Sequence, residues 1–125
     1  MRQAVSTDSA PAALGPYSQA IIANGFVFCS GTAGIDPATG AIAEGIEAQT
    51  EQALRNLDAT LTAAGASLAT LVKTTIFYQN VDDFAAINAV YARYMPEPAR
   101  SAPANVNLPR GLLISIDAIA VLPAA

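Results

Sequence analysis

Two apolar runs, SQAIIA and FVFCSG, flank Asn24-Gly25. That pattern predicts an antiparallel hairpin, with strands at roughly 18–23 and 26–30 joined by a two-residue type I′ turn. Ahead of it Gln3–Ser6 reads as a short edge strand, and Gly15-Pro16 sets a bend that delivers Tyr17 to the start of the hairpin. Beyond Ser30, the stretch GTAGIDPATGAIAEG carries four glycines and Asp36-Pro37, which predicts an irregular connection with its own turn. From Ile46 to Ala64 the apolar positions Ile46, Ala53, Leu54, Leu57, Leu61 and Ala64 recur mostly at three and four residues, while Glu47, Glu51, Arg55 and Asp58 take the other side. This is the pattern of an amphipathic helix, and Gly65 supplies a left-handed stop.

LVKTTIFYQ, at 71–79, is rich in β-branched and aromatic residues and predicts a strand. A second helix opens at Asp82 or Asp83, places Phe84, Ile87, Asn88, Tyr91 and Met95 on one face, and is ended by Pro96 and Pro98. Two further extended runs follow, one beginning at Arg100 and a more apolar one from Leu112 to Leu122. The resulting order is β, β, β, helix, β, helix, β, β. It predicts an α+β fold: a six-stranded mixed sheet with both helices on one face, parallel pairings across each helix and antiparallel pairing in the hairpin. The other face of such a sheet is left bare and apolar, which predicts that further subunits cover it.

With 125 residues, one domain spanning 1–125 is expected. A hydrophobic fraction of 53% against 13% charged residues is the composition of a chain with a compact core. Six basic and ten acidic residues leave a net charge of −4, so no positive field exists to neutralise phosphates, and nucleic acid is not expected as a partner. The absence of histidine excludes a Ser-His-Asp triad, a Cys-His pair and a histidine metal cage. A single cysteine, Cys29, forms no intrachain disulfide. The first residues lack the apolar run of a signal peptide, and no stretch reaches the ~18 apolar residues of a membrane span, so a cytoplasmic location without membrane contact is expected.

Few residues then remain for chemistry. Arg100 lies in PEPARSAP, stiffly placed between prolines and small residues, and its guanidinium fork suits a carboxylate; the alternative is a surface arginine at a strand end. Asp117 interrupts LLISIDAIAV and by alternation shares a face with Leu113, Ser115, Ile119 and Val121. A lone carboxylate there is costly unless paired, hydrogen-bonded or protonated, so it is a proton-transfer group, half of a structural ion pair, or a residue at an exposed strand position. Asn88 on the second helix is a satisfied core amide or a group facing a site. Tyr17 donates a phenolic hydrogen bond or packs, and Ser30-Gly31 offers a hydroxyl and a closely approachable backbone or simply a turn.

Together these segments resemble the RidA/YjgF family of reactive-intermediate imine deaminases, also known under the endoribonuclease L-PSP name. The resemblance runs over nearly the whole chain: SAPAALGPYSQAI, the Ser30-Gly31 pair, NLDATLTAAGASL, VKTTIF, DDFAAINAVYARYM, PARS and IDAIAV, in matching order and spacing. It implies a chorismate-mutase-like protomer assembled as a homotrimer, with ligand clefts at the subunit interfaces. It further implies hydrolysis of 2-imino acids, formed from 2-aminoacrylate and related enamines, to 2-keto acids and ammonia without metal or organic cofactor.

By the same resemblance Arg100 falls on the family's carboxylate-binding arginine and Tyr17 on its cleft tyrosine. Ser30 and Gly31 fall on its strand-end pair, and Asn88 on its helix asparagine. Two positions depart. Archetypal members resemble PARSCV, where this chain has Ala102-Pro103, and a backbone contact there survives at Ala102; they also carry glutamate where this chain has the shorter Asp117. The expected catalytic set is Arg100, Asp117 and Tyr17, with Ser30, Gly31, Asn88 and Ala102 binding a small 2-imino or 2-keto acid. The alternatives are a small-carboxylate-binding module inactivated by the shortened acid, a deaminase of a different enamine or aminomuconate-type substrate, and a ribonuclease or translation inhibitor, against which the charge balance argues.

Overall fold

The computed structural model describes residues 1–124. Six strands form one sheet: β1 Arg2–Val5, β2 Ala20–Ala23, β3 Phe26–Ala33, β4 Leu71–Tyr78, β5 Ala99–Ser101 and β6 Ile114–Val121. The helices are α1, Gly45–Ala63, and α2, Phe84–Tyr91. The order across the sheet is β1-β2-β3-β6-β4-β5, antiparallel throughout except for the parallel β4–β5 pair.

The β2–β3 hairpin forms as its sequence dictates, with φ of 52° at Asn24 and 80° at Gly25 supplying the two left-handed residues of a type I′ turn. Helix α1 stops where Gly65 takes φ 86°; the Ala66 N–H donates to the Leu61 carbonyl and the Gly65 N–H to Thr62, a Schellman closure.

The topology departs from expectation at one place. Parallel pairing holds across α2 but not across α1, because the C-terminal strand β6 inserts between β3 and β4 and pairs antiparallel with both. β3 and β4 therefore run in the same direction without touching. The most apolar strand takes a position with a neighbour on each side, where both its edges have a ladder partner.

The second helix also differs. A 3₁₀ turn at Val81–Asp83 precedes it, and the Asn80 side chain caps that turn by accepting the Asp82 N–H at 2.9 Å. The α-helix ends at Tyr91, short of Met95, and a tight turn carries the chain on to Pro96.

Both helices cover one face. Val27 and Cys29 of β3, Leu71, Ile76 and Tyr78 of β4, and Ile114, Ile116, Ala118 and Ala120 of β6 point into a single core with Leu54, Leu57 and Leu61 of α1 and Ile87 and Val90 of α2. Burying one such leucine contributes about 2 kcal/mol. The alternate strand residues face the other way, and Phe26, Phe28 and Val121 are exposed there. An apolar face thus stands bare on the chain, as the element count predicts.

Buried polar groups of α1 fasten the loop that follows β3 and the approach to β6. The Asn56 amide, inside α1, donates to the carbonyls of Ala33 and Ile35 at 2.9 and 2.8 Å, and Gln49 Oε1 accepts the Leu113 N–H at 2.9 Å. Gly34 permits this close seating, since a Cβ there would lie 2.4 Å from the Gln49 carbonyl oxygen.

Candidate functional site

Arg100 occupies the middle of β5, the edge strand next to β4, where it pairs in register with Thr74. Its side chain leaves the sheet on the helix side. The guanidinium carbon sits 5.1 Å from the centroid of the Tyr91 ring and 5.6 Å from that of Phe84, and Nη1 donates to Asn88 Oδ1 at 2.7 Å. Phe84, Asn88 and Tyr91 follow one another at helical spacing along α2, so a single helix face supplies two rings and an amide. Neither rings nor amide neutralise the charge, and among the described residues Arg100 forms no salt bridge. A guanidinium held by aromatic faces and a neutral acceptor keeps donors available for an anion. Arg100 and Asn88 line a cavity of about 600 Å³ with Tyr91, Met95 and Pro98.

Tyr17, Ser30 and Gly31 line a second cavity, of about 370 Å³, with Leu14, Gln19 and Ser115 among its other walls. The two linings share no residue. Tyr17 is 49% exposed, and its hydroxyl oxygen accepts the Leu14 N–H at 3.2 Å, which leaves its own proton to donate. Ser30 Oγ donates to the Ser18 carbonyl at 2.6 Å, so this hydroxyl is committed to holding the loop before β2. Gly31 is a close-approach glycine, because a Cβ there would fall 2.8 Å from Ser115 Oγ.

Asp117 is tied to this second group through the sheet. β3 pairs with β6 at Cys29–Ala118 and resumes at Thr32–Ile116, so Ser30 and Gly31 bulge opposite the single residue Asp117. On its other side Asp117 pairs with Thr75 of β4. The alternation expected for Asp117 holds, but its face is the uncovered one. Ile116 and Ala118 are buried against the helices while Asp117 is half-buried on the bare side, so it is not the interior carboxylate that an apolar strand suggested. Neither cavity lining includes it, and it makes no salt bridge among the described residues. Its charge adds to the effect of burial on Cys29, whose thiol is pushed up from 9.0 to about 12.

Ala102 follows β5 directly and packs against the core, with the next carbonyl, of Pro103, accepting the Tyr78 N–H at 3.3 Å. The chain therefore gathers the expected residues into two groups, Arg100 with Asn88 beside α2, and Tyr17, Ser30 and Gly31 with Asp117 around the β3 bulge. No three His, Cys, Asp or Glu side chains cluster as a metal site among the described residues.

Gln19 was not singled out by sequence reasoning, yet it organises the second cavity. Its Oε1 accepts the Thr7 N–H at 2.7 Å, and its Nε2 donates to the carbonyls of Thr7, Ala10 and Pro11 at 3.1, 3.3 and 2.8 Å. One side chain thus holds the N-terminal segment that forms part of the wall. A glutamine beside a proline-rich polar loop is a weak hint of such a clamp.

The family model described as "Endoribonuclease L-PSP" matches residues 7–122. A chloroplastic protein of Arabidopsis thaliana named Reactive Intermediate Deaminase A is 48% identical over 124 residues, covering 97% of this chain and 66% of that one. A protein of Salmonella typhimurium named 2-iminobutanoate/2-iminopropanoate deaminase is 42% identical over 126 residues, covering 97% of this chain and 98% of its own. Among solved structures, Escherichia coli TdcF with bound serine superposes with a TM-score of 0.91 at 34% identity, covering 97% of this chain and 99% of that chain.

Proposed function

This chain belongs to the endoribonuclease L-PSP family, the RidA/YjgF/RutC proteins, and we propose that it hydrolyses 2-imino acids such as 2-iminopropanoate and 2-iminobutanoate to 2-keto acids and ammonia. The observation that carries this reading is Arg100. Its guanidinium, without a carboxylate partner among the described residues, is fixed by two rings and an amide in an open cavity, which is the arrangement that takes up a substrate's carboxylate. Relatives bearing deaminase names at 48% and 42% identity support the same reading.

The reaction asks little of the protein beyond position, because a C=N carbon is already electrophilic. Arg100 holds the carboxylate. Asp117 takes a proton from a water as its oxygen bonds to the imine carbon and the C=N electron pair moves to nitrogen. The proton passes to that nitrogen and gives a carbinolamine. The proton of its new hydroxyl then moves by way of Asp117 to the amine nitrogen as the C=O bond forms and the C–N bond breaks, so that ammonia leaves and the keto group remains. The Tyr17 hydroxyl and the backbone near Gly31 and Ala102 orient the reacting atoms, and Ser30 keeps the bulge in shape. No metal or organic cofactor enters this scheme.

Arg100 and Asp117 project from opposite faces of the sheet, so one substrate meets both only in an assembly, with one copy contributing the Arg100 cavity and a second the Asp117 side. A homotrimer whose sheets cover one another's bare faces provides such clefts. Small-carboxylate binding without turnover is the second reading, favoured by the shorter reach of Asp117. With a net charge of −4 and no histidine, RNA cleavage has no support from the residues. The deciding assay generates 2-aminoacrylate in a coupled reaction and follows ammonia: the protein accelerates its release over the buffer rate if the first reading holds, and leaves it unchanged if the second does.

A further inference from the structure

We infer that the buried Thr74–Tyr91 hydrogen bond positions Arg100, making Thr74 and Tyr91 positioning residues for carboxylate capture; the functional part of this inference rests on the reading of Arg100 given above. Thr74 is fully buried, and its Oγ1 lies 2.6 Å from the Tyr91 hydroxyl. Each hydroxyl is the partner found for the other, since among the described residues no other side-chain bond to either is present. Removing one orphans its mate in an apolar core, and that gives the bond a strict geometry.

Three links then close a circuit. Thr74 and Arg100 are ladder partners on β4 and β5. Thr74 holds the hydroxyl end of Tyr91, and the Tyr91 ring carries the Arg100 guanidinium at 5.1 Å. Tyr91 is the last residue of a helix only eight residues long, where fraying is easiest. The same helix face bears Asn88, which accepts from Arg100, and Phe84, which flanks it. A rotation of α2 about its axis would shift all three supports together, and the Thr74–Tyr91 bond is the polar contact that ties the end of α2 to the sheet beside Arg100. An aliphatic residue at 74 would fill the space equally well, so the hydroxyl is not required for packing alone.

The test uses Thr74→Val, which keeps the shape and removes the hydroxyl, and Thr74→Ser, which keeps the hydroxyl. Two quantities are read in each: the order parameter of the Arg100 Nε–H from ¹⁵N relaxation, and the affinity for 2-oxobutanoate by calorimetry. The expected result is a loosened Arg100 Nε–H and an affinity lowered by roughly tenfold in Thr74→Val, with both largely restored in Thr74→Ser. Tyr91→Phe should reproduce the valine variant, and the double variant should be no worse than either single one, because neither hydroxyl is then left alone. A Thr74→Val protein that is less heat-stable but keeps wild-type Arg100 order overturns the inference and reduces the bond to a structural one. Should Arg100 loosen as expected while the wild type fails to bind 2-oxobutanoate, the positioning stands and the reading of Arg100 as a carboxylate anchor falls.

Discussion

Arg100 and Asp117 lie one ladder position apart across β4, yet their side chains leave the sheet on opposite faces. Arg100 is level with Thr74 and stacks on the rings of α2, whereas Asp117 is level with Thr75 and faces the bare side. The sheet itself separates the proposed anchor from the proposed proton carrier. Exposed Phe26, Phe28 and Val121 on that bare face supply the apolar surface that a neighbouring copy would cover.

This separation makes the assembly testable by complementation. Light scattering should give about three times the 12.8 kDa chain mass. Arg100→Ala and Asp117→Asn, each strongly impaired alone, should recover activity when unfolded together and refolded as mixed trimers. With equal amounts, about a quarter of the interfaces pair an intact Arg100 with an intact Asp117, so about a quarter of the wild-type rate is expected. A mass of one chain, or mixed trimers no more active than their parents, would show that the two residues do not share a site.

For Arg100 itself, the loss of a charge-assisted, two-pronged contact should cost about 2 to 3 kcal/mol, or ~30- to 150-fold in affinity for a 2-keto acid. Arg100→Lys should recover little, because an ammonium offers neither the fork nor the flat surface that stacks on Tyr91 and Phe84. Titration of 2-oxobutanoate into Arg100→Ala, with a melting curve to check the fold, decides the matter; unchanged affinity would move the anchor elsewhere.

Cys29 carries the pH signature. Burial, with a smaller contribution from the Asp117 charge, holds its thiol at about 12 against 9.0 when free. The folded state therefore binds the proton more tightly than the unfolded one. The stability this gives is present in full below about pH 9 and is lost as pH climbs from there towards 12. Iodoacetamide at pH 8 should label the folded protein far more slowly than the guanidinium-unfolded chain. Equal labelling rates would mean that the thiol is not shielded.

Much of this was legible in the sequence where the signal is local. Asn24-Gly25 dictates its hairpin, Gly65 ends α1, and the spacing of Phe84, Asn88 and Tyr91 sets one face of α2. What the sequence could not disclose is non-local. Nothing in β3 or β4 announces that β6 will insert between them, since insertion is decided by which strand can pair on both edges. Nor does alternation alone say which face of β6 the helices cover, which is why Asp117 was expected inside. The bulge at Ser30-Gly31 was hidden for the same reason, being defined only by its partner strand. The residues singled out one by one for a site divide between two places, a fact that no reading of a single chain in one dimension contains.

Asp117 decides between catalyst and binding module. It stands half-buried on the bare face opposite the two-residue bulge, without a salt bridge among the described residues, so a second copy seated on that face would bring it against a ligand. Asp117→Asn keeps size and hydrogen-bonding capacity but takes up no proton, and the imine hydrolysis rate should fall roughly 100-fold while 2-oxobutanoate affinity changes little, the split expected for a group that moves a proton. Asp117→Glu adds one methylene of reach. If reach limits the reaction, its rate should equal or exceed that of the wild type, measured as ammonia released from 2-aminoacrylate. A wild type that is inactive beside an active Asp117→Glu variant would make this chain a carboxylate-binding protein that lacks only the longer acid. An Asp117→Asn variant as fast as the wild type would instead leave the carboxylate a structural role and pass proton transfer to Tyr17, whose hydroxyl already has its lone pair engaged by Leu14 and its proton free to give.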